Sequence, residues 1–192
     1  MRATPFLALA AAFAVSGCFS FGAKPPPTLM RLTAEAPPST GSRTANAAEA
    51  ITVIPPSVPG ELRTPRVPVR TGGTAVSYLK NAQWVDLPAS LFGRLLSDTI
   101  AARSGRVVLD PRQFTFDPGQ RLTGTLQSFG IDADTSEAVV VYDAAVARGK
   151  DAVETRRFEA RVPLPVVDAA NAPAALNRAA NQVAAEVAAW VG

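Results

Sequence analysis

The chain has 192 residues, a formal net charge of +3, one cysteine and no histidine. The missing histidines exclude imidazole acid–base catalysis, Ser-His-Asp triads and histidine metal sites, and a lone cysteine excludes an intramolecular disulfide. A surplus of three basic residues is too small and too dispersed to recruit nucleic acid.

The amino terminus has the parts of an export signal. Arg2 supplies positive charge, Phe6 to Val15 (FLALAAAFAV) forms an apolar run, and Ser16 and Gly17 are small enough for a peptidase site. The run is about half of the roughly 20 residues that a membrane-spanning helix needs, so residues 1–17 read as a cleaved signal peptide rather than a permanent anchor. The tetrapeptide Val15-Ser16-Gly17-Cys18 resembles the lipobox of bacterial lipoproteins. That resemblance implies cleavage before Cys18, diacylglycerol on its thiol, and a fatty acyl chain such as palmitate on the freed amine. Phe19 follows where an aspartate would favour retention in the inner membrane of Gram-negative bacteria, which implies the periplasmic face of the outer membrane. The alternative is an ordinary secretory signal cut elsewhere, with Cys18 a bystander.

Ten of the 17 prolines lie between Pro25 and Pro68. The run Pro25-Pro26-Pro27 favours extended polyproline II, so residues 18–28 read as a spacer between lipid and domain. Residues 29–192 are long enough for one domain with its own core. Within them, Pro37 to Glu49 is polar and rich in small residues and reads as a flexible insertion.

Thr28 to Ala34 alternates like a half-buried strand, and Ile51 to Ile54 is a short strand stopped by Pro55-Pro56. Val67 to Val69 and Thr74 to Leu79 form a predicted hairpin around Thr71-Gly72-Gly73. Leu87 to Arg103 then takes helical period, with Leu87, Leu91 and Leu95 on one stripe, Pro88 near the start and Gly105 as the cap. Arg106 to Leu109 returns to strand. Arg121 to Ile131 and Glu137 to Arg148 are long strands across the acidic turn 132–136, and Ala152 to Val162 pairs with the second. Leu176, Ala180, Val183, Val187 and Trp190 mark a closing amphipathic helix from Pro173 to Val191. The predicted fold is α+β: a mainly antiparallel sheet with two amphipathic helices, about 87–103 and 173–191, packed on it. Parallel crossovers are disfavoured, because three of the strands read as hairpin-linked.

No catalytic constellation emerges. Lys24, Lys80 and Lys150 fall in spacer or turn regions, unsuited to a desolvated catalytic lysine. Asp132, Asp134 and Glu137 lack the glycine and distal glutamate of a calcium loop and read as a solvated turn. Arg156 and Arg157 should point to opposite faces of their strand. No metal site, cofactor or catalytic residue is expected, which favours a binding or structural protein over an enzyme.

The stretch from Ile51 to Arg103 carries a second resemblance. It runs Ile51-Thr52-Val53-Ile54-Pro55, Val58-Pro59-Gly60-Glu61-Leu62, then Pro65-Arg66-Val67-Pro68-Val69-Arg70. Tyr78 follows, and Trp84-Val85-Asp86-Leu87-Pro88 opens the helix. This order is similar to that of the ABC-type transport auxiliary lipoproteins, which include the lipoprotein of paraquat-inducible-type systems. Pro68, the order of Asp86-Leu87-Pro88 and the long 37–49 insertion depart from the family pattern.

The resemblance implies a non-enzymatic accessory of an ABC transporter that moves phospholipid or other hydrophobic molecules between inner and outer membranes. It also implies a periplasmic MCE-domain protein as partner and leaves a homo-oligomer open. An envelope assembly lipoprotein without a transport role is the competing reading. Trp84, Arg70 and Tyr78 are the candidates for contact with partner or lipid. The residues also allow local roles: Trp84 as core packing under the helix, and Arg70 paired with a carboxylate such as Asp86.

Overall fold

The sheet is organised around one strand, β5 (Gln120–Asp132), whose two edges are used differently. One edge pairs antiparallel with β6 (Glu137–Arg148) along its whole length, and β6 pairs in turn with β7 (Ala152–Pro163). The other edge is shared. Its first residues pair parallel with β1 (Ala50–Val53), and its last two pair parallel with β2 (Arg66–Thr71). A single bridge from Ser57 to Thr125 fills the gap between them. Beyond β1 lies β4 (Val107–Leu109), parallel, and beyond β2 lies β3 (Ala75–Gln83), antiparallel. The computed structural model describes residues 28–36, 41–42, 44–46, 49–111, 120–148 and 152–192. The predicted signal peptide, Cys18, Lys24, nearly all of the spacer, much of the 37–49 insertion and Lys150 lie outside the described residues.

The architecture is α+β, with a sheet that is mostly but not wholly antiparallel. The antiparallel ladders are the long ones, and the parallel pairings of β1 and β2 span only two or three residues each. Parallel neighbours, disfavoured by the sequence pattern, arise because thirteen-residue β5 has more edge than any one short strand can cover. The two faces of β5–β7 follow the pleat. Leu122, Leu126, Tyr142, Phe158, Ala160 and Val162 point inward and are buried at even spacings along each strand, and an irregularity between Leu126 and Ser128 brings Phe129 to the same side.

Two helices cover that inward face: α1 (Pro88–Ser104) and α2 (Ala172–Val191), close to their expected bounds. Pro88 occupies the first turn of α1, where its missing amide hydrogen costs nothing. Gly105 closes the helix in left-handed conformation. Phe92 of α1 meets Tyr142 of β6 edge-on, with ring centroids 5.2 Å apart. The alanine-rich face of α2 is buried from Ala172 to Val191, and small side chains let it lie close to α1 and to β6–β7. Trp190 at its end donates from Nε1 to Glu154 of β7 at 2.7 Å.

The β2–β3 hairpin forms as predicted and extends to Gln83. Gly72 and Gly73 take positive φ (59° and 72°), a turn that residues with a Cβ resist. The segment before β1 departs from expectation. Its alternation does turn Met30, Leu32 and Ala34 inward, yet it joins the sheet through one bridge only, Met30 to Trp84. Beyond that bridge its backbone is held by a helix. Asn177 Oδ1 accepts from the Thr33 amide at 2.9 Å, and Asn181 bonds both Glu35 N and Thr33 O.

Candidate functional site

The motif residues before α1 form two groups, one inside and one outside. Gly60–Leu62 makes a single 3-10 turn, η1, fixed by Leu62, which is fully buried. This turn aims the Glu61 side chain at β2. There Arg70 donates to it through both Nε (3.1 Å to Oε1) and Nη2, and Nη2 also reaches the Gln127 carbonyl at 3.3 Å. Tyr78 of β3 donates its hydroxyl to the Glu61 backbone carbonyl at 3.3 Å. The Arg66 guanidinium lies over the Tyr78 ring, 4.2 Å from its centroid. Arg70 and Tyr78 therefore converge on one glutamate, at the surface, between η1 and the β2–β3 hairpin.

The carboxylate that Arg70 meets is Glu61 and not Asp86. Asp86 is taken by its own helix: Oδ1 accepts the Leu87 amide at 2.7 Å and Oδ2 accepts Arg94 at 2.6 Å. The usable signal for Glu61 was its place in the Pro59-Gly60-Glu61-Leu62 turn, where a buried leucine forces its neighbour outward.

Trp84 belongs to the other group. It is 1% exposed and stacks on Phe129 of β5, centroids 4.9 Å apart and nearly parallel. Its core-packing role is the one the structure displays, against β5. Its indole lies within the hydrophobic core, whose members include Met30 and Phe129.

The acidic turn spends its carboxylates internally. Asp132 Oδ1 accepts the amides of Asp134 and Thr135, and Asp134 Oδ2 accepts Gly72 N at 2.7 Å. Arg161 draws on Asp132, Glu137 and Glu159 together. On the same outward face Asp143 pairs with Arg157 at 2.6 Å and with Gln127 at 3.0 Å. The Arg157 hydrogen bond holds the Asp143 carboxyl below the usual carboxylate range. Arg156 lies over the Phe158 ring on the opposite side, so the two arginines do diverge. Burial pushes the Tyr142 hydroxyl up, and it donates instead to the Thr123 carbonyl at 3.0 Å. Lys80 is exposed on β3. Among the described residues no cluster of His, Cys, Asp or Glu could hold a metal ion, and no helix is long and apolar enough to cross a membrane. What the surface offers is two guanidinium groups, a phenol and a fixed turn, a combination that suits recognition.

Two crystal structures share this architecture. Protein XCC0632 from Xanthomonas campestris, whose crystal structure is assigned to the DUF330 family, is similar at 20% identity and a TM-score of 0.68. The match covers 85% of this chain and 94% of that one. A crystal structure of an uncharacterized protein follows at 14% identity and a TM-score of 0.65, covering 76% of this chain and 94% of that one. PelC from Paraburkholderia phytofirmans, a dodecamer, is 11% identical with a TM-score of 0.36, covering 77% and 92%. No curated protein matches. The profile of the family described as "ABC-type transport auxiliary lipoprotein component" matches residues 31–188. With most of its length matched, the chain belongs to the ABC-type transport auxiliary lipoprotein family.

Proposed function

We propose that Cys18 is lipidated and holds the mature chain at the periplasmic face of the outer membrane. There it serves as a non-catalytic accessory of an ABC transporter that works with an MCE-domain protein on phospholipid or other hydrophobic cargo. The observation that carries this reading is a lipobox, Val15 to Cys18, placed directly ahead of a domain of this family. The chain has no P-loop sequence, so the energy comes from a separate ATPase. Residues 18–28 act as the spacer. Arg66, Arg70 and Tyr78, set by Glu61 at the surface, are the contact with the partner.

Pull-down of a cognate MCE-domain protein, using the acyl-free chain from Phe19 onward, tests the docking. Arg70→Glu with Tyr78→Ala is expected to abolish capture while the protein stays folded. A folded parent chain that captures nothing sinks the transport reading and favours the envelope-assembly one. Cys18→Ala is expected to abolish palmitate incorporation, and persisting label overturns the anchor. Sedimentation of the acyl-free chain reads out whether it self-associates.

A further inference from the structure

We infer that Leu29, Val85 and Leu87, with Arg31 beside them, form a lipid-contacting face that seats the domain on the membrane surface at its anchored end. The inference rests on the reading that Cys18 carries lipid.

Three observations lead to it. The first is the patch itself. Large exposed apolar side chains among the described residues are few: Leu29 (45%), Val85 (43%), Leu87 (43%), Val76, Val153 and Val166. The last three stand singly on β3, β7 and the β7–α2 loop. The first three lie together. Met30 and Trp84 form a parallel bridge, with Met30 N donating to Gln83 O at 2.7 Å and Val85 N to Met30 O at 2.9 Å. Both bridged side chains are buried, so Leu29, Arg31 and Val85 share the opposite side of the same two-stranded ribbon. Leu87, two residues beyond Val85 at the entry to α1, is exposed as well.

The second observation is where the chain leaves. Leu29 is a member of the patch and also the eleventh residue after Cys18. At no more than about 3.6 Å per residue, the ten residues from Cys18 to Pro27 span at most about 36 Å. A lipid on Cys18 therefore enters the bilayer within a short tether of this face.

The third is charge. Arg31 is exposed on the ribbon, and Asp86, the residue after Val85, is paired with Arg94 at 2.6 Å. Aliphatic side chains rimmed by guanidinium groups match the headgroup–acyl boundary of a bilayer containing anionic phospholipid. One acyl-bearing residue fixes the protein to the membrane, whereas this patch would fix its orientation.

The test separates the patch from the anchor. The mature chain carrying Cys18→Ser is mixed with vesicles of phosphatidylethanolamine and phosphatidylglycerol and sedimented. Replacing Leu29, Val85 and Leu87 together by serine should weaken the residual partitioning by about tenfold. Equal partitioning of the two chains, or none by the Cys18→Ser parent, overturns the proposal. The lipidated protein then supplies an independent readout, since its only cysteine is blocked. An environment-sensitive fluorophore on Val85→Cys should shift to the blue on reconstituted vesicles, and one on Thr155→Cys should not. Anchored protein with no shift at position 85 overturns the lipid face while leaving the anchor intact. A crosslink from position 85 to a protein in place of lipid also overturns it. Loss of palmitate labelling on the parent chain is the distinct failure that removes the anchor beneath both readings.

Discussion

The side-chain amide of Asn181, near the end of the chain, brackets the backbone of Thr33 near its beginning. Nδ2 donates to the Thr33 carbonyl at 2.9 Å, and Oδ1 accepts the Glu35 amide at 3.0 Å. At 3% exposure, Asn181 gives this segment a substitute for the second strand neighbour it lacks. Asn181→Leu should leave both backbone groups unpaired and cost about 1–3 kcal/mol. Urea unfolding measures the loss, and limited proteolysis should begin between residues 28 and 36. Asn177→Ala, which removes the two exposed bonds that its Oδ1 accepts from Thr33, should cost less.

Trp84 should dominate the stability of the hairpin side of the core. Trp84→Ala removes the stack on Phe129 and opens a large cavity, for about 3–5 kcal/mol. Trp84→Phe keeps a ring on Phe129 and removes a buried Nε1 that has no hydrogen-bond partner among the described residues. Its cost should stay below about 1.5 kcal/mol. Thermal unfolding of the two variants distinguishes packing from any polar role for the indole.

Gly124 is held by contact and not by torsion. A Cβ there would stand 2.3 Å from the Asp143 carbonyl oxygen and 2.7 Å from the Tyr142 ring. Gly124→Ala must therefore push β5 and β6 apart or displace a buried phenol, and should cost at least about 1–3 kcal/mol. Chemical denaturation checks it, and an alanine variant as stable as the parent contradicts the packing described.

Stability should fall in acid through identifiable groups. Hydrogen bonds from Arg157 lower the Asp143 carboxyl, and bonds from the backbone and side chain of Asn171 lower that of Asp168. A carboxyl lowered in the folded state contributes stability above its unfolded value, about pH 4. That contribution is lost as pH drops through the lower folded value. Asp143→Asn should flatten this part of the acid limb and change little at neutral pH, because the pair is exposed and screened. Unfolding midpoints measured across acid pH give the two slopes.

The long elements were legible from sequence because each buries one face along many residues. The period of three to four in α1 and α2, and of two in β6, β7 and the first half of β5, is a direct record of that burial. What failed was pairing. The alternation in 28–34 correctly reports which side chains turn inward, but it is silent on whether the backbone meets a strand or the asparagines of a helix. The parallel contacts of β1 and β2 with β5 join residues about 60 to 70 positions apart, which no local window contains. At the candidate site the sequence names Arg70 and Tyr78 as contact residues without joining them, and offers Asp86 as the carboxylate where the fold supplies Glu61. Both acids lie within reach in sequence, and only the fold of η1 against β2 decides between them. Trp84 admitted two readings because tryptophan serves cores and interfaces alike.

The shared edge of β5 has a consequence for the order in which this chain can mature. A chain delivered amino end first presents β1, β2, β3 and α1 before residue 120 arrives, and until then β1 and β2 have no central strand to join. Even afterwards the segment around Thr33 waits for Asn181. Early parts are thus complete only when late parts appear, so the domain should condense in a single late step. A chain of this topology should gain its resistance to proteases late, once its last helix is in place.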